Sequence, residues 1–150
     1  MLKTGDLAPD FEATLDSGEK VSLSQYKGRK VVLYFYPRDN TSGCTREACD
    51  FRDRISDIQA RDSVVLGVSP DSVISHQRFK EKFDLPFSLV SDETREVAQA
   101  YGVWREKKLY GKTSMGIVRS TFVIDEEGRI AKVYDKVKVA GHVDDVLESL

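Results

Sequence analysis

The stretch YFYPRDNTSGCTREACDFRD, residues 34–53, decides how the rest of the chain is read. Its first residues close the run VVLYFY (31–36), which is β-branched and aromatic without polar alternation, as expected of a strand covered on both faces. Its second half has helical spacing. Cys44, Ala48, Phe51, Ile55 and Ile58 form one apolar stripe, all within about 40° of Cys44 at 100° per residue. A helix over 43–60, directly after a core strand, is the expectation.

Working outward, SVVLGVS (63–69) and FSLVS (87–91) read as further buried strands. STFVIDEEGRIAKVY (120–134) reads as an antiparallel hairpin turning at Asp125 to Gly128, and FEATLDSGEKVSL as an N-terminal hairpin turning at Asp16 to Gly18. Helical patterns cover 71–83 with Asp71 as N-cap, 92–101 with Gly102 just beyond its end, and about 141–150 with Val143, Val146, Leu147 and Leu150 on one side. The segment WREKKLYGKTSMGIVR (104–119) reads as a long polar connection. This order of elements predicts an α/β fold, a central mixed sheet flanked by helices.

No linker or repeat interrupts residues 1–150, and that length suits one domain with its own core. The 23 basic and 25 acidic residues are interspersed, which gives no footprint for nucleic acid. The first residues contain no apolar segment of signal-peptide length, and the longest apolar run is far short of a membrane span. A cytoplasmic protein without a membrane partner is expected. His76 and His142 are expected at the surface, and two isolated histidines with cysteines five residues apart suggest neither a metal site nor a cofactor.

Cys44 and Cys49 are the only cysteines of the chain. In a reducing compartment such a pair points to catalysis or metal binding, against the plainer reading of two unrelated buried thiols. Cys49 lies about 140° around the helix from Cys44, so Cys44 faces the core and Cys49 faces elsewhere. In an intact helix their Cα atoms stand roughly 8.6 Å apart. A disulfide tolerates about 7 Å. A permanent bridge is therefore disfavoured, and a transient one needs the first turns to unwind. The start of a helix also favours an anion, but its dipole is worth at most about 2 kcal/mol. Lowering a thiol from a pKa of about 8.5 to about 6 takes roughly 3.4 kcal/mol, so a cation must also approach.

Pro37-Arg38-Asp39-Asn40-Thr41-Ser42-Gly43-Cys44 resembles the Pro-x-x-x-Thr-x-x-Cys signature of the peroxiredoxins, thiol-dependent peroxidases. With Cys49 it looks like their Q-type subfamily, also called bacterioferritin comigratory protein. The likeness extends over GDLAPDF (5–11), YGVWREKKLYGKTSMGIVRSTFVID (101–125) and the last helix; Ser42 departs from it, standing where many relatives carry proline. The resemblance implies a thioredoxin-like fold with N-terminal additions. It assigns Cys44 as the peroxidatic cysteine and Thr41 as the residue orienting thiolate and peroxide. Pro37 then shields the site from water, Arg119 supplies the cation, and Cys49 is the resolving cysteine. It also implies peroxide substrates, recycling by thioredoxin or a similar dithiol, and a monomer, with a dimer as the alternative. Two other functions stay open on the same fold: a general thiol–disulfide oxidoreductase, and a redox-sensing or holdase protein. Glu47 is read either as a partner of Arg119 or another arginine, or as an exposed carboxylate, and Trp104 as pocket wall or core.

Overall fold

The computed structural model describes residues 2–150. The chain runs β1 (Glu12–Leu15), β2 (Lys20–Ser22), a 3₁₀ turn (Leu23–Tyr26), β3 (Lys30–Phe35), α1 (Ser42–Asp53), α2 (Ile55–Ala60), β4 (Ser63–Ser69) and α3 (Val73–Phe83). It continues through β5 (Ser88–Ser91), α4 (Glu96–Ala100), β6 (Trp104–Leu109), β7 (Lys112–Ile117), β8 (Ser120–Ile124), β9 (Ile130–Tyr134) and α5 (His142–Glu148). Seven strands form one mixed sheet in the order β2-β1-β5-β4-β3-β8-β9. β3, β4 and β5 are parallel, whereas β1 and β8 join them antiparallel.

Alternation along β3 explains its unbroken apolar sequence. Val31, Leu33 and Phe35 enter one core cluster with Val97, Tyr101 and Phe122, while Val32, Tyr34 and Tyr36 enter another with Cys44, Ala48, Phe51, Phe79 and Val143. Both faces are covered, so neither half of the period-2 pattern can be polar. The second face carries the helix of the cysteines, which therefore starts at the carboxyl end of a central strand.

Four expectations are corrected. The helix over 43–60 is two helices meeting at Arg54, where the turn tightens and the Arg54 N–H bonds the Phe51 carbonyl at 3.1 Å. The apolar stripe survives this break, with Cys44, Ala48, Phe51 and Ile58 buried. The cap of α3 is Ser72, whose hydroxyl accepts from the Ser75 N–H, because the Asp71 carboxylate is engaged by the Ser69 hydroxyl and the Asp39 N–H. The helix expected over 92–101 is only α4, and Asp92 serves its start from a distance by accepting from the N–H groups of Val97 and Ala98.

The fourth correction concerns 104–119, a β-hairpin rather than a loop. Leu109 pairs with Lys112 across a two-residue turn, and Tyr110 and Gly111 both have positive φ (51° and 76°), the conformation that matches strand twist. Its strands form a separate two-stranded sheet with many exposed polar side chains, so they lack the alternation that marks a core strand.

Candidate active site

Sheet register brings the distant parts of the site together. Phe35 pairs with Ser120, so Arg119, at the junction of β7 and β8, lies beside the continuation of β3 at Tyr36. From Tyr36 the chain turns through residues 37–41 into α1. Thr41 is the N-cap residue in extended conformation, φ −94° and ψ 157°, and its carbonyl accepts the first helical bond, from Thr45 N–H at 2.8 Å. Cys44 sits in the first turn, 2% exposed, among apolar side chains of the second core.

The cation demanded by the sequence is in place. Arg119 Nη2 donates to Cys44 Sγ at 3.2 Å, and Nη1 donates to Glu47 Oε1 at 2.7 Å. Burial works against the guanidinium charge, but Glu47 and Cys44 overcome it and raise the arginine pKa further. Gly43 leaves the guanidinium its space: a Cβ there would stand 3.3 Å from Nη2. Glu47 is fully buried, which settles its two readings in favour of the Arg119 partner. Burial pushes its carboxyl up to about 7, against the pull of Arg119. Its second oxygen has no partner among the described residues.

The other sequence candidates are placed less directly. Thr41 does not cap α1 with its side chain; its hydroxyl donates instead to the Arg38 carbonyl at 3.0 Å. Pro37 is half-buried where β3 ends. Cys49, on the same helix as Cys44, is a free, half-buried thiol that burial pushes up in pKa while Arg52 pulls it down. Trp104 packs against the first core and carries the Arg95 guanidinium 4.8 Å above its ring.

Both histidines expected at the surface are buried. His76 shares the inward face of α3 with Phe79 and Phe83, a spacing of three and seven residues that signals a common face. His142 leads the inward face of α5 with Val143 and Val146, its Nε2 lies 2.8 Å from the Thr121 hydroxyl, and burial lowers its pKa to about 4. Sequence reasoning also passed over Lys107 on β6. It is half-buried, its stem crosses Gly116, and burial and Arg119 lower its pKa while Cys44 raises it. Among the described residues, ligand atoms of Asp39, Asp71 and His76 lie within 4.8 Å of one another, the one arrangement with spacing for a cation. Those atoms are engaged in hydrogen bonds with each other and with neighbouring hydroxyls and N–H groups.

A buried thiol in the first turn of a helix, touched by a guanidinium, can be held as a nucleophilic thiolate. Comparison with known proteins agrees with this chemistry. Residues 4–133 match the model of the AhpC/TSA family. The peroxiredoxin Bcp of Bacillus subtilis is 53% identical over 99% of this chain and 95% of its own length. A PrxQ mutant from Xylella fastidiosa superposes with a TM-score of 0.94 at 37% identity, covering 99% of this chain and 94% of its own. The bacterioferritin comigratory protein of Xanthomonas campestris, described for alkyl peroxide reduction, superposes with a TM-score of 0.89 at 41% identity, over 93% of this chain and 88% of its own. The chain belongs to the AhpC/TSA family, and within it to the thioredoxin-like peroxiredoxins of the Bcp/PrxQ kind, thiol-dependent peroxidases that draw on a thiol reductant.

Proposed function

We propose that this peroxidase works through Cys44 as attacking thiolate and Cys49 as resolving thiol, with Thr41, Arg119 and Pro37 shaping the peroxide site. The contact from Arg119 to Cys44 Sγ at 3.2 Å carries the assignment. The thiolate attacks the terminal oxygen of the peroxide; an S–O bond forms as the O–O bond breaks, and the departing alkoxide takes a proton to become the alcohol. Cys44 is left as a sulfenic acid. Arg119 stabilises the charge growing on the departing oxygen. The Thr41 hydroxyl, donating to the Arg38 carbonyl, keeps lone pairs free to accept from the hydroperoxyl group and hold it in line. Pro37, without an N–H, keeps the loop from drawing water to the thiolate.

The Cys49 thiol then condenses with the sulfenic acid, forming the disulfide and releasing water. Because an intact helix keeps the two Cα atoms roughly 8.6 Å apart, the first turns of α1 must unwind before the sulfurs meet. A dithiol, thioredoxin or a similar protein, then restores both thiols by exchange. The single sheet shared by both cores supports a one-domain enzyme, and we infer a cytoplasmic monomer reducing hydrogen peroxide and organic hydroperoxides. A general disulfide oxidoreductase would leave the Arg119–Cys44–Thr41 arrangement idle.

The test is a peroxide assay coupled to a thioredoxin system, run with hydrogen peroxide, organic hydroperoxides and lipid hydroperoxides. Cys44→Ser is expected to abolish peroxide consumption. Cys49→Ser is expected to form sulfenic acid at Cys44 yet lose thioredoxin-linked turnover. Substantial activity in the first variant overturns the nucleophile, and normal turnover in the second overturns the resolving role.

A further inference from the structure

Asp39 is the only residue of the loop 37–41 whose side chain is buried. Its Oδ1 accepts from the Tyr36 hydroxyl at 2.6 Å, and its Oδ2 accepts from the Ser75 hydroxyl at 2.8 Å and faces His76 Nδ1 at 2.7 Å. His76 is 0% exposed. Its Nε2 lies 3.0 Å from the Val90 carbonyl oxygen, which can only accept, so Nε2 carries a hydrogen. A bare lone pair on Nδ1 would meet a carboxylate oxygen at 2.7 Å and repel it. A second hydrogen therefore lies between Nδ1 and Oδ2. Two hydroxyls also donate to the Asp39 carboxyl, so the pair is a buried hydrogen bond whose every polar atom is engaged.

Its position gives it a use. The Asp39 N–H donates to Asp71 Oδ2 at 2.8 Å, and that oxygen is itself held by the Ser69 hydroxyl at 2.6 Å. Residue 39 is thus tied to the end of β3, to α3 and to the end of β4, while His76 reaches β5. Asn40 follows with φ 60°, and Thr41 comes next. The network shares no hydrogen bond with the Arg119–Glu47–Cys44 group among the described residues. Polar groups are expensive to bury, and an apolar contact would hold an ordinary turn at lower cost. What a directional network adds is a fixed geometry.

We propose that the buried His76–Asp39 pair is the positioning device of the peroxide-binding loop, fixing the Thr41 hydroxyl relative to Cys44 and so setting the rate of the peroxide step. The inference rests on the roles assigned above to Cys44 and Thr41. It separates two properties of the site: Arg119 governs the thiolate, and the His76–Asp39 pair governs how peroxide is held against it.

The separation can be measured in a Cys49→Ser background, where only Cys44 reacts. The reduced protein is treated with hydrogen peroxide and, separately, with iodoacetamide, an alkylating reagent that needs the thiolate but no oriented hydroxyl. Asp39→Asn and His76→Gln are expected to slow the peroxide reaction tenfold to about a hundredfold, the range a misplacement near 1 Å produces, and to change alkylation less than about threefold. Tyr36→Phe keeps the ring and the fold while removing one donor to Asp39, and a peroxide-selective loss of about threefold is expected. Equal losses in the two reactions across all three variants, or an unchanged peroxide rate, overturn the inference. A parent no faster with peroxide than a free thiol would overturn the role of Cys44 and this inference with it, whereas a fast parent with unaffected variants overturns the inference alone.

Discussion

At the scale of single residues, the site turns on one sulfur and one guanidinium. Cys44 is buried, where an isolated thiolate is unfavourable, and the 3.2 Å contact from Arg119 offsets that cost. Arg119→Ala is therefore expected to lower the thiolate population of Cys44 at neutral pH, read by thiolate absorbance. It should also slow peroxide reduction by about a hundredfold, as losing one donor to a developing oxyanion does. An unchanged absorbance and rate would remove Arg119 from the mechanism. Cys44 and Arg119 were legible in the sequence because a short motif marks each of them. Asp39 was not, since a single acid in a turn has no period to betray its burial. His76 was legible only in hindsight, from its spacing to Phe79 and Phe83.

At the scale of elements, α1 is an intact helix that buries Cys44 and presents its first-turn N–H groups, whereas the mechanism proposed above asks it to open so that Cys49 can reach the sulfenic acid. Oxidised protein is expected to exchange amides faster over residues 43–50 than reduced protein. Equal protection in both states would contradict the unwinding step. Ser42 is the first residue of α1, where an N–H has no helical partner and proline is well tolerated, and Thr41 before it is already extended. Ser42→Pro is thus expected to stabilise the reduced protein by about 0.4–1 kcal/mol through the unfolded chain, measured by denaturant titration. The helices were readable from apolar periodicity, though not their exact extent, and the core strands from unbroken β-branched and aromatic runs. The β6–β7 hairpin was not, because a two-stranded element with much of its surface in water needs no apolar alternation, and its turn uses Tyr110-Gly111 rather than a commoner pair.

At the scale of the molecule, two buried groups should tilt stability in opposite directions over nearly the same pH range. The Glu47 carboxyl is raised to about 7, so the folded state binds its proton more tightly than the unfolded chain does. Its contribution is greatest below about 4.5 and is lost as pH rises through 7. His142 is lowered to about 4, so the folded state resists its protonation; its contribution is full above about 6.5 and is lost as pH falls through 4. Each amounts to a change on the order of 3 kcal/mol, and in the parent the slopes largely cancel. Glu47→Gln is expected to leave a stability that rises with pH between about 4 and 6.5, and His142→Gln one that falls between about 4.5 and 7, both followed by urea unfolding at several pH values. Identical profiles in all three proteins would show that neither group is perturbed as its burial implies.

The sequence by itself determined the class of fold, the two-faced central strands, the helix that carries both cysteines and the outward turn of Cys49, because local periodicity and covalent spacing act over a few residues. Only the tertiary structure decided which charges meet. Strand register sets Arg119 beside Cys44 from 75 residues away, and packing of α3 on the sheet brings His76 to Asp39 across 37. Such pairings depend on how elements stack in space, and a buried charge declares itself only once its partner is in place.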